Sequence, residues 1–164
     1  MTDTSFETEH LKERLAAHPF LKGIEPHDVQ VLSESAELTR FEAGQVIFRT
    51  GEQATGFYLI ESGAVVIEAT KRQPRPVVID TVAAGEPLGW SWLFEPYVWE
   101  FDVWEFDARA TEATTAIFFS REHLWQHHEE DLTLGHELFK RMSVVMVRRL
   151  QAARRKLVAP HRTS

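Results

Sequence analysis

The stretch Phe57-Tyr58-Leu59-Ile60-Glu61-Ser62-Gly63-Ala64-Val65-Val66-Ile67 holds two short β-rich runs, Phe57–Ile60 and Val65–Ile67, with a glycine between them. A glycine at such a junction takes positive φ without the clash that a Cβ would bring. Working outward, Val46-Ile47-Phe48 lies before this stretch, while Val77-Val78-Ile79 and Ala116-Ile117-Phe118-Phe119 lie after it. Short strands at this spacing, with Gly44, Gly51 and Gly85 in the intervening segments, predict an antiparallel sandwich or barrel over residues 37–120. Lys71 to Pro76 reads as a polar hairpin tip.

Helical patterns flank this β-rich zone. Residues 4–36 contain Thr4-Ser5-Phe6-Glu7, which fits a capping box, and Leu11 and Leu15 recur at helical spacing. Pro19 biases His18 away from the helical region, so the first helix is expected to end near Ala17. A second should run from about Pro26, a favoured first-turn residue, to Ser35. After the strands, Ser120 suits the cap of a short helix containing Leu124 and Trp125. From about Asp131, Leu134, Leu138, Met142, Met146, Leu150, Ala153 and Leu157 mark one apolar stripe, giving C-terminal helices over 121–158.

At 164 residues the chain has the length of one domain, and residues 1–164 are read as a single one. Hydrophobic residues make up 43% and charged residues 26%, an ordinary globular balance. The absence of cysteine excludes disulfides and thiolate chemistry. No apolar run reaches the ~20 residues that cross a bilayer, and residues 1–16 lack a signal peptide's pattern, so no membrane association and a cytoplasmic location are expected. The net charge of −7 is unevenly spread: Lys140 to Ser164 carry eight Lys or Arg and no acid. The remaining acidic body repels phosphate backbones. The basic end could meet an acidic partner, or be a solvated helix face near a C-terminus that favours cations.

Over roughly residues 15–157 the sequence resembles the cyclic-nucleotide-binding domain of the catabolite activator and Fnr family. The likeness is carried by Pro19-Phe20-Leu21-Lys22-Gly23-Ile24, Phe41-Glu42-Ala43-Gly44-Gln45-Val46-Ile47, Gly51-Glu52, Phe57 to Val65, Gly85-Glu86 and Gly89. It implies a mainly β fold, an eight-stranded jelly-roll β-barrel, with N-terminal helices and a long C-terminal helix that often pairs two subunits. A homodimer through that helix is therefore expected, the alternative being that the stripe packs onto its own barrel. The resemblance also implies a regulatory, ligand-sensing and non-catalytic role.

In that family a short helix after a Gly-Glu pair holds the cyclic phosphate on backbone N–H groups, the Glu takes the ribose hydroxyl, and a later Arg neutralises the phosphate. The corresponding segment here is Gly89-Trp90-Ser91-Trp92-Leu93-Phe94-Glu95-Pro96, with Trp90 in the place of the Glu. Counting forward from Gly89 puts Glu100 at the Arg position; counting back from Ala110-Thr111-Glu112 puts Trp104 there. The difference coincides with a five-residue repeat, Val98-Trp99-Glu100-Phe101-Asp102 followed by Val103-Trp104-Glu105-Phe106-Asp107. The repeat reads either as a remodelled pocket wall or as a tolerated loop insertion. A similar cassette, Gly-Trp-Ser-Trp-Leu-Phe and then Phe-Asp-Ala-Arg-Ala, marks a subgroup of stand-alone relatives.

Gly89, Trp90, Ser91, Trp92 and Arg109 are the candidate ligand-binding residues. Arg109 is the only Lys or Arg between Arg75 and Arg121. Facing the barrel interior, it would meet a small anionic ligand. Alternation puts it on one face with Asp107, where an ion pair would make it structural. Trp90 and Trp92 could stack on a planar ligand or fill the cavity themselves. A cyclic nucleotide is a possible ligand here, with neither usual anchor in place.

His123 and His127 share a helix face at a spacing that metal sites use, but no third ligand is evident and no metal is expected. No nucleophile motif, phosphate loop or carboxylate pair stands out, so no catalytic residue is assigned. The residues after the long helix are too few for a helix-turn-helix, and no independent DNA binding is expected. Two functions of different class follow: a sensor of a small ligand in the barrel, or a degenerate domain that binds no nucleotide and serves protein contacts.

Overall fold

The computed structural model describes residues 4–70, 74–90, 103–130 and 132–159, without the side chains of 4–7 and 127–130. Helix α1 (Thr4–Ala17) ends at the pre-proline residue, where His18 is extended at φ −71° and ψ 129°. A single 3-10 turn (Pro19–Leu21) leads to α2 (Pro26–Ser35), which opens on its proline. Strands β1 (Ala36–Phe41), β2 (Val46–Phe48), β3 (Gly56–Ser62), β4 (Ala64–Ala69) and β5 (Val77–Ala83) come next. Then follow β6 (Pro87–Leu88), β7 (Asp107–Ala110), β8 (Thr114–Ser120), α3 (Arg121–Glu130) and α4 (Leu132–Val158).

The strands form two four-stranded antiparallel sheets, ordered β1-β8-β3-β6 and β2-β7-β4-β5. This is the expected jelly roll with flanking helices. The β3–β4 turn lies at Gly63, with φ +89°. One face of each sheet is apolar. Leu59 pairs with Ile117 in one sheet and Ile67 with Ala108 in the other, so the alternating side chains of both meet inside. Phe57 and Phe119 stack there with ring centroids 4.9 Å apart.

The apolar stripe of α4 divides along its length. Leu134, Leu138 and Met142 are buried in the chain's own core, each contributing about 1.5–3 kcal/mol. Arg141 fixes this half, donating from Nη1 to the carbonyls of Phe20 and Lys22, both at 2.9 Å. Beyond Met146 the apolar positions emerge: Leu150 is 52% exposed and Leu157 82%.

Candidate functional site

One end of the second sheet, the close of β6 and the middle of α4 enclose a cavity of about 540 Å³. Phe48 of β2, Ile67 of β4 and Ile79 of β5 supply one side of its lining. Leu88, Gly89 and Trp90 continue it from the end of β6, and Val103 to Phe106 approach from the segment entering β7. Met146 and Arg149, three apart on one face of α4, complete it.

Trp104 organises the inner wall. Its backbone is clamped to the turn after β2: Gly51 N–H donates to its carbonyl at 2.8 Å, and its own N–H donates to Glu52 at 2.9 Å. The indole is buried and stacks on Phe48, with centroids 4.0 Å apart and planes 16° from parallel. It also covers Gly89, which has φ +78°, and a Cβ there would come within 2.9 Å of Trp104 Cη2. Glycine is thus required twice over, by the backbone conformation and by the close indole.

Among the described residues, the charged groups of the lining are Asp80, Glu105 and Arg149. Arg149 donates from Nη2 to the Pro87 carbonyl at 3.1 Å, and its Nε lies 3.6 Å from Asp80 Oδ2. Asp80 also accepts from the Thr81 N–H at 2.9 Å. Arg149 therefore ties α4 to both β5 and β6 at the edge of the cavity.

The sequence-predicted site residues separate in space. Gly89 and Trp90 line the cavity, while Ser91 and Trp92 lie outside the described residues. Arg109 does not line it. Its neighbours Ala108 and Ala110 are fully buried, so alternation along β7 directs Arg109 to the outer face. There it makes a two-pronged contact with Glu68, Nη2 to Oε1 at 2.6 Å and Nε to Oε2 at 3.2 Å. Hydrogen bonding to this carboxylate raises the already high pKa of the guanidinium.

Asp107 shares the face but not the pair. In the register, Glu68 stands opposite Asp107 and Val66 opposite Arg109, so the long Arg side chain reaches Glu68 diagonally. The shorter Asp107 accepts from the Thr50 N–H at 2.7 Å and from its hydroxyl at 2.8 Å. Burial acts to raise its pKa, but these hydrogen bonds, together with Thr70 and the nearby charge of Arg49, outweigh it and hold the carboxyl below its usual range.

Arg149, Asp80 and Met146 escaped the sequence reading as site residues. A basic residue three positions beyond a stripe methionine was the available signal. Among the described residues, no group of three His, Asp or Glu side chains is placed to hold a metal, and no helix is long and apolar enough to cross a membrane.

The two sheets and the long helix over their cavity define a jelly-roll domain with flanking helices. Over residues 38–131, more than half its length, the chain matches the cyclic nucleotide-binding domain, and it belongs to that family. The fold is similar to that of a Geobacter metallireducens GS-15 protein assigned to cyclic-nucleotide binding, with TM-score 0.72, 22% identity and coverage of 85% of this chain and 97% of that one. It is also similar to the sensor domain of the transcriptional regulator DNR from Pseudomonas aeruginosa, with TM-score 0.68, 20% identity and coverage of 90% and 95%. At these identities the likeness is one of fold. Over 73 residues the chain is 36% identical to the acetyltransferase Pat of Mycolicibacterium smegmatis, a match covering 44% of this chain and only 22% of that protein.

Proposed function

We propose that this chain is a non-catalytic regulatory domain of its family that senses a small ligand in the barrel cavity and reports occupancy through α4. The observation that carries the reading is that Met146 and Arg149, both on α4, form part of the cavity lining. A ligand that touches them changes the contacts holding the helix, and a helix shift is one way such a change travels. Gly89 and Trp90, with Ser91 and Trp92 following, form the ligand-binding segment in this reading. Arg109 braces the outer face with Glu68 instead of meeting the ligand.

The absence of catalysis is part of the proposal. The likeness to the acetyltransferase spans less than a quarter of that protein, so its chemistry does not come with the match. A homodimer through the exposed half of α4 is also proposed. Met146, Leu150, Ala153 and Leu157 follow 4- and 3-residue steps, the spacing of a two-helix seam. The acidic body outside the basic C-terminal end supports a domain that does not bind DNA unaided, and a cytoplasmic location is proposed with it.

The test is a thermal-shift screen of small ligands, including cyclic AMP and cyclic GMP, followed by calorimetry, with Arg109→Ala and the cavity-filling Ile79→Trp as controls. A ligand that binds the wild type and Arg109→Ala, and fails on Ile79→Trp, supports the sensor. If no ligand shifts the wild type while the basic helix captures a protein, the domain is a contact module. The exposed apolar end of α4 is the feature that favours this second reading.

A further inference from the structure

We infer that the cavity takes an uncharged, flat aromatic molecule and rejects anions, cyclic nucleotides included; this rests on the proposal that the cavity is a ligand site. Its volume falls within the range of small-molecule sites, which are mostly apolar with a few placed polar groups. Aliphatic and aromatic side chains make up most of the lining, and the Phe48–Trp104 stack gives it a flat wall.

The charges select against an anion. Among the described residues, two carboxylates, Asp80 and Glu105, line the cavity against one cation, Arg149. That cation is already engaged by Asp80 and the Pro87 carbonyl. A phosphate or sulfonate would leave water to sit near both carboxylates, and it would gain a counter-charge only by breaking the Asp80–Arg149 contact. Glu105 and part of Asp80 face solvent, which screens this repulsion. The larger costs are therefore the lost hydration of the anion and the broken Asp80–Arg149 contact. The Trp104 indole also occupies the side of Gly89 on which a Cβ would project, which narrows the approach to that residue. An uncharged ring system meets none of these costs, and it gains dispersion and burial against the walls.

A matched pair of probes tests this. N-phenyl-1-naphthylamine is uncharged, and 1-anilinonaphthalene-8-sulfonate has the same ring skeleton with one sulfonate added. Fluorescence titration of the wild-type chain should show the uncharged probe binding at least ~10-fold more tightly than the anionic one, with millimolar cyclic AMP or cyclic GMP failing to displace it. Ile79→Trp and, independently, Met146→Trp should each weaken the uncharged probe by ~10-fold or more while the chain stays folded by circular dichroism. Asp80→Asn should free Arg149 and tighten the anionic probe by ~10-fold relative to the uncharged one.

Equal affinities for the two probes, or displacement by cyclic nucleotide at millimolar concentration or below, would overturn the inference and leave the cavity a ligand site. Uptake that ignores both tryptophan substitutions, or no uptake at all, would overturn the inference together with the reading beneath it.

Discussion

At the residue scale, His18 shows how a single ring can make stability depend on pH. It is buried, its Nδ1 accepts from the Phe20 N–H at 3.2 Å, and its Nε2–H donates to the Ile60 carbonyl at 2.9 Å. That geometry fixes the neutral tautomer, because a proton on Nδ1 would face the Phe20 N–H. Burial lowers the pKa, the Ile60 carbonyl and Glu61 opposing it. A lowered histidine pKa costs nothing above the unfolded-state value of ~6.5; as pH falls below that, the unfolded chain takes up a proton that the folded chain refuses. The melting temperature should therefore fall from pH 7 towards pH 5 in the wild type, an interval set by that unfolded pKa of about 6.5. In His18→Gln the decline should flatten, with stability at pH 8 lower by about 1–3 kcal/mol for the lost buried hydrogen bonds. Differential scanning calorimetry at each pH reads both effects.

Gly89 and Trp104 give a second prediction at the same scale. Trp104→Ala should cost about 3–5 kcal/mol, as loss of a buried indole does. Gly89→Ala should cost about 1–2 kcal/mol from its left-handed backbone, with a further part from the indole contact. In a Trp104→Leu background only the backbone part should remain, so the two substitutions should be non-additive in urea unfolding. One of two ways of counting put Trp104 at the family's Arg position, and nothing in the sequence showed that it would stack on Phe48 as a buried wall. Arg109 was legible as the lone Lys or Arg of its segment, and its pairing with a neighbouring carboxylate was one of two readings. That the partner is Glu68 depends on the β4–β7 register, which alternation along one strand does not supply.

At the scale of elements, runs of β-branched and aromatic residues marked β2, β3, β4, β5 and β8. The two-residue β6 and the Asp-Ala-Arg-Ala strand β7 carry no such run. They are strands because their neighbours β3, β2 and β4 offer free edges to pair with. The α4 stripe was legible in full, but its division was not. Its first half is covered because α4 lies against the chain's own core, and its second half continues past that contact. Leu150→Glu tests what the exposed half does. If it pairs two copies, the wild type should sediment as a dimer and the variant as a monomer, with a melting temperature independent of protein concentration. A wild-type monomer at tens of micromolar, an order set by ordinary weak association, would remove the dimer.

At the scale of the whole molecule, the cavity exists because residues far apart in sequence converge: Phe48, Gly89, Trp104 and Arg149 come from four separate segments. Periodicity and motif spacing describe each segment but not their meeting, which is why the sequence pointed to Gly89 and Trp90 but not to Arg149 as neighbours of one cavity. The convergence also makes α4 both a wall of the cavity and the carrier of the exposed stripe. Arg141 anchors one half of the helix to the N-terminal turn, and Arg149 anchors it to β5 and β6. A ligand beneath Met146 and Arg149 acts on the second anchor. Amide hydrogen exchange over residues 141–158, with N-phenyl-1-naphthylamine bound and free, measures that action directly. Slower exchange around Met146 to Arg149 on binding, by ~10-fold or more, is the expected result, since local opening there has to release the bound probe. Unchanged exchange along α4 with the probe demonstrably in the cavity would contradict the proposed sensing role.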